Sequence, residues 1–174
     1  VVHSEIMLPP HAPPSFSDRS TLWNSVEQTE KSNNSQLARE IELALPVELS
    51  REEQTRLVRE YCSSQFVSKG MCADFNIHDT GSGNPHAHIL LTMRPLDEKG
   101  AWAAKSKKEY VLDESGEKIL LPSGRYKTRK IDLMDWNRQE NADLWRKAWA
   151  DMANDFLEQN GRAERIDHRS NAER

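Results

Sequence analysis

Phe75-Asn76-Ile77-His78-Asp79-Thr80-Gly81-Ser82-Gly83-Asn84-Pro85-His86-Ala87-His88-Ile89-Leu90-Leu91 reads as strand, tight loop, strand, and it holds three of the chain's six histidines. Side chains of an extended strand alternate between faces, so His86 and His88 point one way while Ala87, Ile89 and Leu91 point the other, toward a core. On the preceding segment Phe75 and Ile77 share one face, and Asp74, Asn76 and His78 share the opposite one. If the two strands pair through the Gly/Ser/Asn/Pro loop, three imidazoles converge on one sheet face. Three neutral imidazoles suit a divalent transition metal and leave coordination positions open for a substrate oxygen. A lone histidine in a strand is ordinarily a packing or surface residue. What predicts a metal site here is a pair on the non-core face of an apolar strand, with a third at the matching end of its partner. Asp79 stays open, because an aspartate in a loop also makes an Asx turn.

At 174 residues with 36% hydrophobic content, the chain is long enough for one domain over 1–174 with its own core. A formal net charge of −4 does not announce a nucleic-acid binder, so any polyanion has to be met by local basic patches. Cys62 and Cys72 lie outside any CxxC spacing and read as reduced thiols of a cytoplasmic protein. No apolar run approaches a membrane span and no signal peptide opens the chain, which predicts no membrane insertion. Val1 to Leu8 already reads as a strand in progress, so a segment upstream of Val1 is expected.

Pro9, Pro10, Pro13 and Pro14 end that strand, since proline cannot donate to a ladder. From Ser17, read as an N-cap, a first helix carries Leu22, Trp23 and Val26. Leu37–Leu45 reads as a strand stopped by Pro46, with Leu37, Ile41, Leu43 and Leu45 toward a core, interrupted by Arg39. Its other face presents Ala38, Glu40, Glu42 and Ala44. Ser50 and Glu53 form a capping box for a second helix with Leu57, Val58, Tyr61, Cys62 and Phe66 at helical spacing, ending near Gly70. Residues 96–130 are polar and predict an accessory hairpin insertion, its arms Tyr110–Leu112 and Ile119–Leu121 around Asp113–Lys118. After Asp135 a long helix presents Trp145, Ala148, Trp149, Met152, Phe156 and Leu157 as one stripe, read as core, and stops at Gly161. The pattern predicts an α+β fold: a central antiparallel sheet with helices packed on one face and a metal site on the other.

Pro85-His86-Ala87-His88-Ile89-Leu90-Leu91, preceded by His78-Asp79, resembles the histidine-hydrophobic-histidine motif of plasmid relaxases, specifically of the MobA/MobL (MobQ-type) family of conjugative mobilisation proteins. Asn34 to Pro46 is similar to that family's acidic motif, and Arg165-Ile166-Asp167-His168-Arg169-Ser170 to a segment near the end of its relaxase domain. The resemblance implies a relaxase-like fold and a metal-dependent DNA nickase. Such an enzyme cuts one strand of single-stranded origin-of-transfer DNA through a tyrosine that becomes linked to the 5′ phosphate. It implies a divalent ion (Mn, Mg or Zn) on His78, His86 and His88, and other transfer-complex proteins as partners. It also implies candidate catalytic carboxylates Glu40 and Glu42, with Glu40 ranked first because it stands where the acidic residue is expected. Their alternative is that of solvated strand-face charges.

The family's nucleophilic tyrosine lies upstream of both motifs, in a segment that would precede Val1. None of the chain's three tyrosines fits that role: Tyr61 falls on a helix stripe, Tyr110 in the accessory hairpin, Tyr126 in a basic loop. That loop, Arg125-Tyr126-Lys127-Thr128-Arg129-Lys130, is the densest basic run and predicts DNA contact through Arg125, Lys127, Arg129 and Lys130, with Tyr126 able to stack on an unpaired base. An ordinary solvated loop is the competing reading. His168 either supports the site or caps the final segment, and His3 and His11 read as surface residues. Two functional alternatives remain: a rolling-circle replication initiator of the same superfamily, which would carry its tyrosine on a helix after the histidines, and a non-catalytic DNA- or metal-binding module.

Overall fold

The computed structural model describes residues 1–174. His3–Met7 (β1), Ala38–Ala44 (β2), Ala73–His78 (β3) and His86–Thr92 (β4) form one antiparallel sheet in the order β1-β3-β4-β2. The histidine segment folds as the expected hairpin, with His78 opposite His86 and Asn76 opposite His88. Directly opposed residues share a face, so the register draws polar rows across the sheet. Ser4, Asn76, His88 and Glu42 lie in one row, and His78, His86 and Ala44 in the next.

The other face is apolar and covered. Two helices, Arg51–Gln65 (α2) and Glu140–Gln159 (α3), seal Leu43, Leu45, Phe75, Ile77, Ala87, Ile89 and Leu91 into a core with Leu57, Val58, Tyr61, Phe66, Trp145, Trp149, Phe156 and Leu157. Burying each large side chain contributes about 1.5–3 kcal/mol, so this layer supplies most of what holds the sheet in register. α2 starts at the predicted capping box: Glu53 N–H donates to Ser50 Oγ at 3.1 Å and Ser50 N–H to Glu53 Oε2 at 2.8 Å. A single 3-10 turn after α2 ends at Gly70, whose φ of 100° favours glycine. Arg39, the break in the apolar face of β2, lays its guanidinium over the Trp145 ring at 5.4 Å and donates to the Trp136 carbonyl. Leu37 does not join the core. It precedes β2 and is 40% exposed, because Ala38 is the first residue to pair with β4.

The helix Arg19–Thr29 (α1) lies on the histidine face, at its far end. Its cap is Asp18 rather than Ser17: Thr21 N–H donates to Asp18 Oδ1 at 2.8 Å, while the Ser17 hydroxyl donates to the Pro14 carbonyl at 2.9 Å in the preceding turn. Leu22 packs with Phe16 and Cys72. Arg19 Nε and Nη2 donate to Asp74 at 2.8 and 2.7 Å, and Trp23 Nε1 does so at 2.9 Å. The two long helices thus follow the predicted layer, while α1 walls off one end of the opposite face. Cys62 and Cys72 are free and buried, and burial pushes the Cys72 thiol up to about 11.

Ser106–Tyr110 (β5) and Thr128–Asp132 (β6) form a separate two-stranded sheet. Of the arms predicted at Tyr110–Leu112 and Ile119–Leu121, Tyr110 ends β5 opposite Thr128, and the remainder makes isolated bridges at the tip, Leu112 to Lys118 and Leu120 to Tyr126. The turn between them forms as read, with Asp113 Oδ1 accepting from Ser115 and Glu117 N–H groups at 2.9 Å each. The long arms carry charged residues on both faces, so no apolar alternation marks them in the sequence. The base of this ribbon is tied to the end of the sheet away from the histidines: Lys105 Nζ donates to the Gln36 carbonyl at 3.1 Å and pairs with Glu30 at 2.8 Å. No helix is long and apolar enough to cross a membrane.

Candidate metal centre

β3 and β4 leave their apolar alternates in the core and raise His78, His86 and His88 on the open face. One ring nitrogen from each lies within 4.8 Å of the others. The ring centroids are 4.7 Å apart for His78 and His88, 5.0 Å for His86 and His88, and 5.7 Å for His78 and His86.

Two of the three rings are held by acceptors. His86 Nδ1 lies 3.0 Å from the Asn84 carbonyl oxygen and His88 Nδ1 lies 3.1 Å from Glu40 Oε1. A carbonyl and a carboxylate accept only, so each Nδ1 is the protonated nitrogen and donates. In the neutral ring that tautomer leaves the lone pair on Nε2, as a metal ligand needs. His78 makes no such bond. Loss of hydration, followed by repulsion from His88 and His86, holds its imidazolium below the ordinary range, with Glu42 acting the other way. The cluster therefore offers three nitrogen donors on one side of a partly exposed surface, a donor set that fits a divalent ion.

The two carboxylates are not equivalent. Glu42 stands directly opposite His88 in the ladder, yet Glu40, one row further along, reaches diagonally and takes the bond to His88. Asp79 is a turn residue: its Oδ1 accepts from Gly81 N–H at 2.8 Å and its Oδ2 from Arg51. That pair ties the hairpin loop to the start of α2. Two parts of this face escape the sequence reading. One is the Asp74 clamp on α1; the other is the Ser4 hydroxyl, which donates to Asn76 Oδ1 beside His88. The polar alternation Asp74, Asn76, His78 was the signal available for both.

β2 is an edge strand, and a groove of about 880 Å³ runs along it against α3. Glu40 and Glu42 stand on the rim it shares with the histidine face, and Ile41, Leu43, Trp145 and Trp149 line its apolar side.

The tyrosines lie away from the histidines. Tyr61 is buried behind the sheet, its hydroxyl donating to the Trp145 carbonyl at 2.8 Å, and burial pushes its pKa up. Tyr110 and Tyr126 pack edge to face on the ribbon at 6.1 Å, with Lys118 Nζ 4.0 Å from the Tyr110 ring centre. The basic run lies on this ribbon too. Arg129 pairs with Glu109 at 3.0 Å and Lys130 with Asp132 at 3.5 Å, while Arg125 and Lys127 are exposed. The ribbon springs from beside Thr92, which the length of β4 separates from His86 by about 20 Å. The structure brings the histidines and Glu40 together, and no hydrogen bond or ion pair joins the basic run to them.

An antiparallel sheet with helices behind it and a histidine triad on its open face defines a relaxase-like protein. The chain belongs to the MobA/MobL family, which it matches over residues 1–174. It is 35% identical to the probable mobilization protein MobA of Bifidobacterium longum, over 94% of this chain and 31% of that protein. It is also 35% identical to the conjugal transfer protein TraA of Rhizobium radiobacter, over 98% of this chain and 16% of that one. The chain thus spans less than a third of these two relatives. A solved structure described as the molecular basis of vancomycin resistance transfer in Staphylococcus aureus superimposes with a TM-score of 0.78 at 36% identity, over 97% of this chain and 75% of the other.

Proposed function

We propose that this chain is the nicking domain of a plasmid mobilisation relaxase. On this reading it cleaves one strand of origin-of-transfer DNA by tyrosine transesterification, with a divalent ion on His78, His86 and His88, in the cytoplasm and alongside other transfer proteins. The observation that carries the proposal is the convergence of three imidazole nitrogens, two of them in the ligand tautomer, on an open sheet face. An ion held there would polarise the scissile phosphate and offset the charge that gathers on its non-bridging oxygens. The all-nitrogen donor set favours a transition ion over magnesium, which prefers oxygen ligands.

In the reaction a phenolic oxygen bonds to phosphorus, the bond from phosphorus to the 3′ oxygen breaks, the phenolic proton is lost and the 3′ oxygen leaves as a hydroxyl. Attack requires the phenol within about 3–3.5 Å of the phosphorus. Tyr61 is sealed in the core, and Tyr110 and Tyr126 face each other on the ribbon. The nucleophile is therefore assigned to a tyrosine outside residues 1–174, and the ribbon with Arg125, Tyr126, Lys127, Arg129 and Lys130 to contact with the DNA backbone. Residues 1–174 act as one relaxase domain, with 96–130 as its insertion. The absence of a tyrosine from α3 favours this over a replication initiator.

The test is adduct formation. With manganese and a single-stranded oligonucleotide of its transfer origin, the full-length protein should form a 5′-phosphotyrosyl adduct, and residues 1–174 alone should bind the oligonucleotide in a salt-sensitive way without forming one. An adduct mapped by mass spectrometry to Tyr61, Tyr110 or Tyr126 would overturn the assignment of the nucleophile. In the same assay Glu40→Gln should cost about 10–100-fold in metal affinity or rate, the usual effect of losing a partner that orients a ligand. A normal Glu40→Gln protein beside a defective Glu42→Gln protein would transfer the role to Glu42.

A further inference from the structure

Asn76 sits in the centre of the histidine face, with Ser4 opposite it on β1 and His88 opposite it on β4. The Ser4 hydroxyl donates to its Oδ1, which turns the oxygen end of the planar amide toward β1. The NH₂ end is thereby turned toward β4 and the imidazoles, and it donates to no group of the protein. A direct cross-strand neighbour stands about 4.5–5.5 Å away between Cβ atoms, so this N–H and the His88 ring border the same space. Charge also recommends an amide there. A lysine would repel an ion held by the histidines and a carboxylate would compete as a ligand, whereas an amide donates a hydrogen bond and leaves the charge of the centre unchanged.

We propose that Asn76 is a further catalytic residue of this site, its side-chain N–H donating to a non-bridging oxygen of the scissile phosphate, and that Ser4 is the positioning residue that fixes the amide. The inference rests on the phosphodiester reading above. Fixed donors aimed at developing negative charge act more strongly on the transition state than on the bound substrate. Asn76 therefore contributes to turnover rather than to affinity.

The experiment compares Asn76→Ala, Ser4→Ala and the double variant in the full-length protein. Manganese affinity is read by calorimetry, and kcat and KM are read on a single-stranded oligonucleotide of the transfer origin. Asn76→Ala should lower kcat by about 10²-fold and leave manganese affinity and KM within about threefold. Ser4→Ala should lower kcat less, and the double variant should fall no further than Asn76→Ala, because Ser4 acts only through the amide. Normal kcat in Asn76→Ala overturns the proposal, as do additive losses in the double variant. A parallel loss of manganese affinity also overturns it, since Asn76 would then merely support His88. An unsubstituted protein that binds manganese and cleaves no oligonucleotide overturns the phosphodiester reading itself, and the role of Asn76 with it.

Discussion

Replacing His86 and His88 together by alanine should abolish divalent-ion binding and, in the full-length protein, strand cleavage. The substitution removes two of the three nitrogens that lie within 4.8 Å of one another and leaves His78 as a lone imidazole. Loss of a single orienting partner already costs about 10–100-fold in affinity, so loss of two ligands should exceed that range. The fold should survive, because both side chains stand on the open face while Ala87 and Ile89, between and beyond them, carry the packing. Calorimetric titration with manganese and zinc measures the first effect and circular dichroism the second. Unchanged affinity in a folded double variant would sink the site.

Asp74→Ala should give the largest loss of stability among substitutions on the polar face. Asp74 is 1% exposed and accepts three hydrogen bonds, two from Arg19 and one from Trp23. Breaking a buried pair by removing one partner costs about 3–5 kcal/mol. Arg19 is 44% exposed on its side chain and can turn to water, so a loss of about 2–3 kcal/mol is expected. For a chain of this size that lowers Tm by roughly 5–10 °C. Because these bonds anchor α1, amide exchange should quicken in Arg19–Thr29 before it does in the core strands. Asp74→Asn keeps an acceptor and should lose less. A Tm within about 1 °C of the unsubstituted protein would show that Leu22 and its neighbours hold α1 unaided.

Each local periodic feature was readable without coordinates. Alternation in Phe75–Leu91 placed the histidines on one face and the aliphatic residues on the other. Ser50 and Glu53 announced the start of α2 through bonds made within four residues. The apolar stripe of α3 turned out as core, with Trp145, Trp149, Phe156 and Leu157 buried. Readings weakened where the outcome turned on a neighbour. Leu37 looked like a core residue by parity, but it lies outside the paired length of β2. The ribbon's long arms were missed because charged residues on both faces leave no period to detect.

The choice between Glu40 and Glu42 marks the boundary between the two kinds of information. Alternation puts both carboxylates on the histidine face, and resemblance ranks Glu40 first. Only the paired register, with the reach of a glutamate side chain, shows that the residue one row away takes the bond to His88 while its direct neighbour does not. The Asp74 clamp and the Ser4–Asn76 bond belong to the same class, joining residues 55, 51 and 72 positions apart. A strand's alternation is a property of its own backbone and is therefore written in its sequence. Which strand lies beside it, and which helix crosses its polar face, is decided by burying the whole apolar layer at once, so the partners of Asp74, Asn76 and His88 exist only in the folded chain.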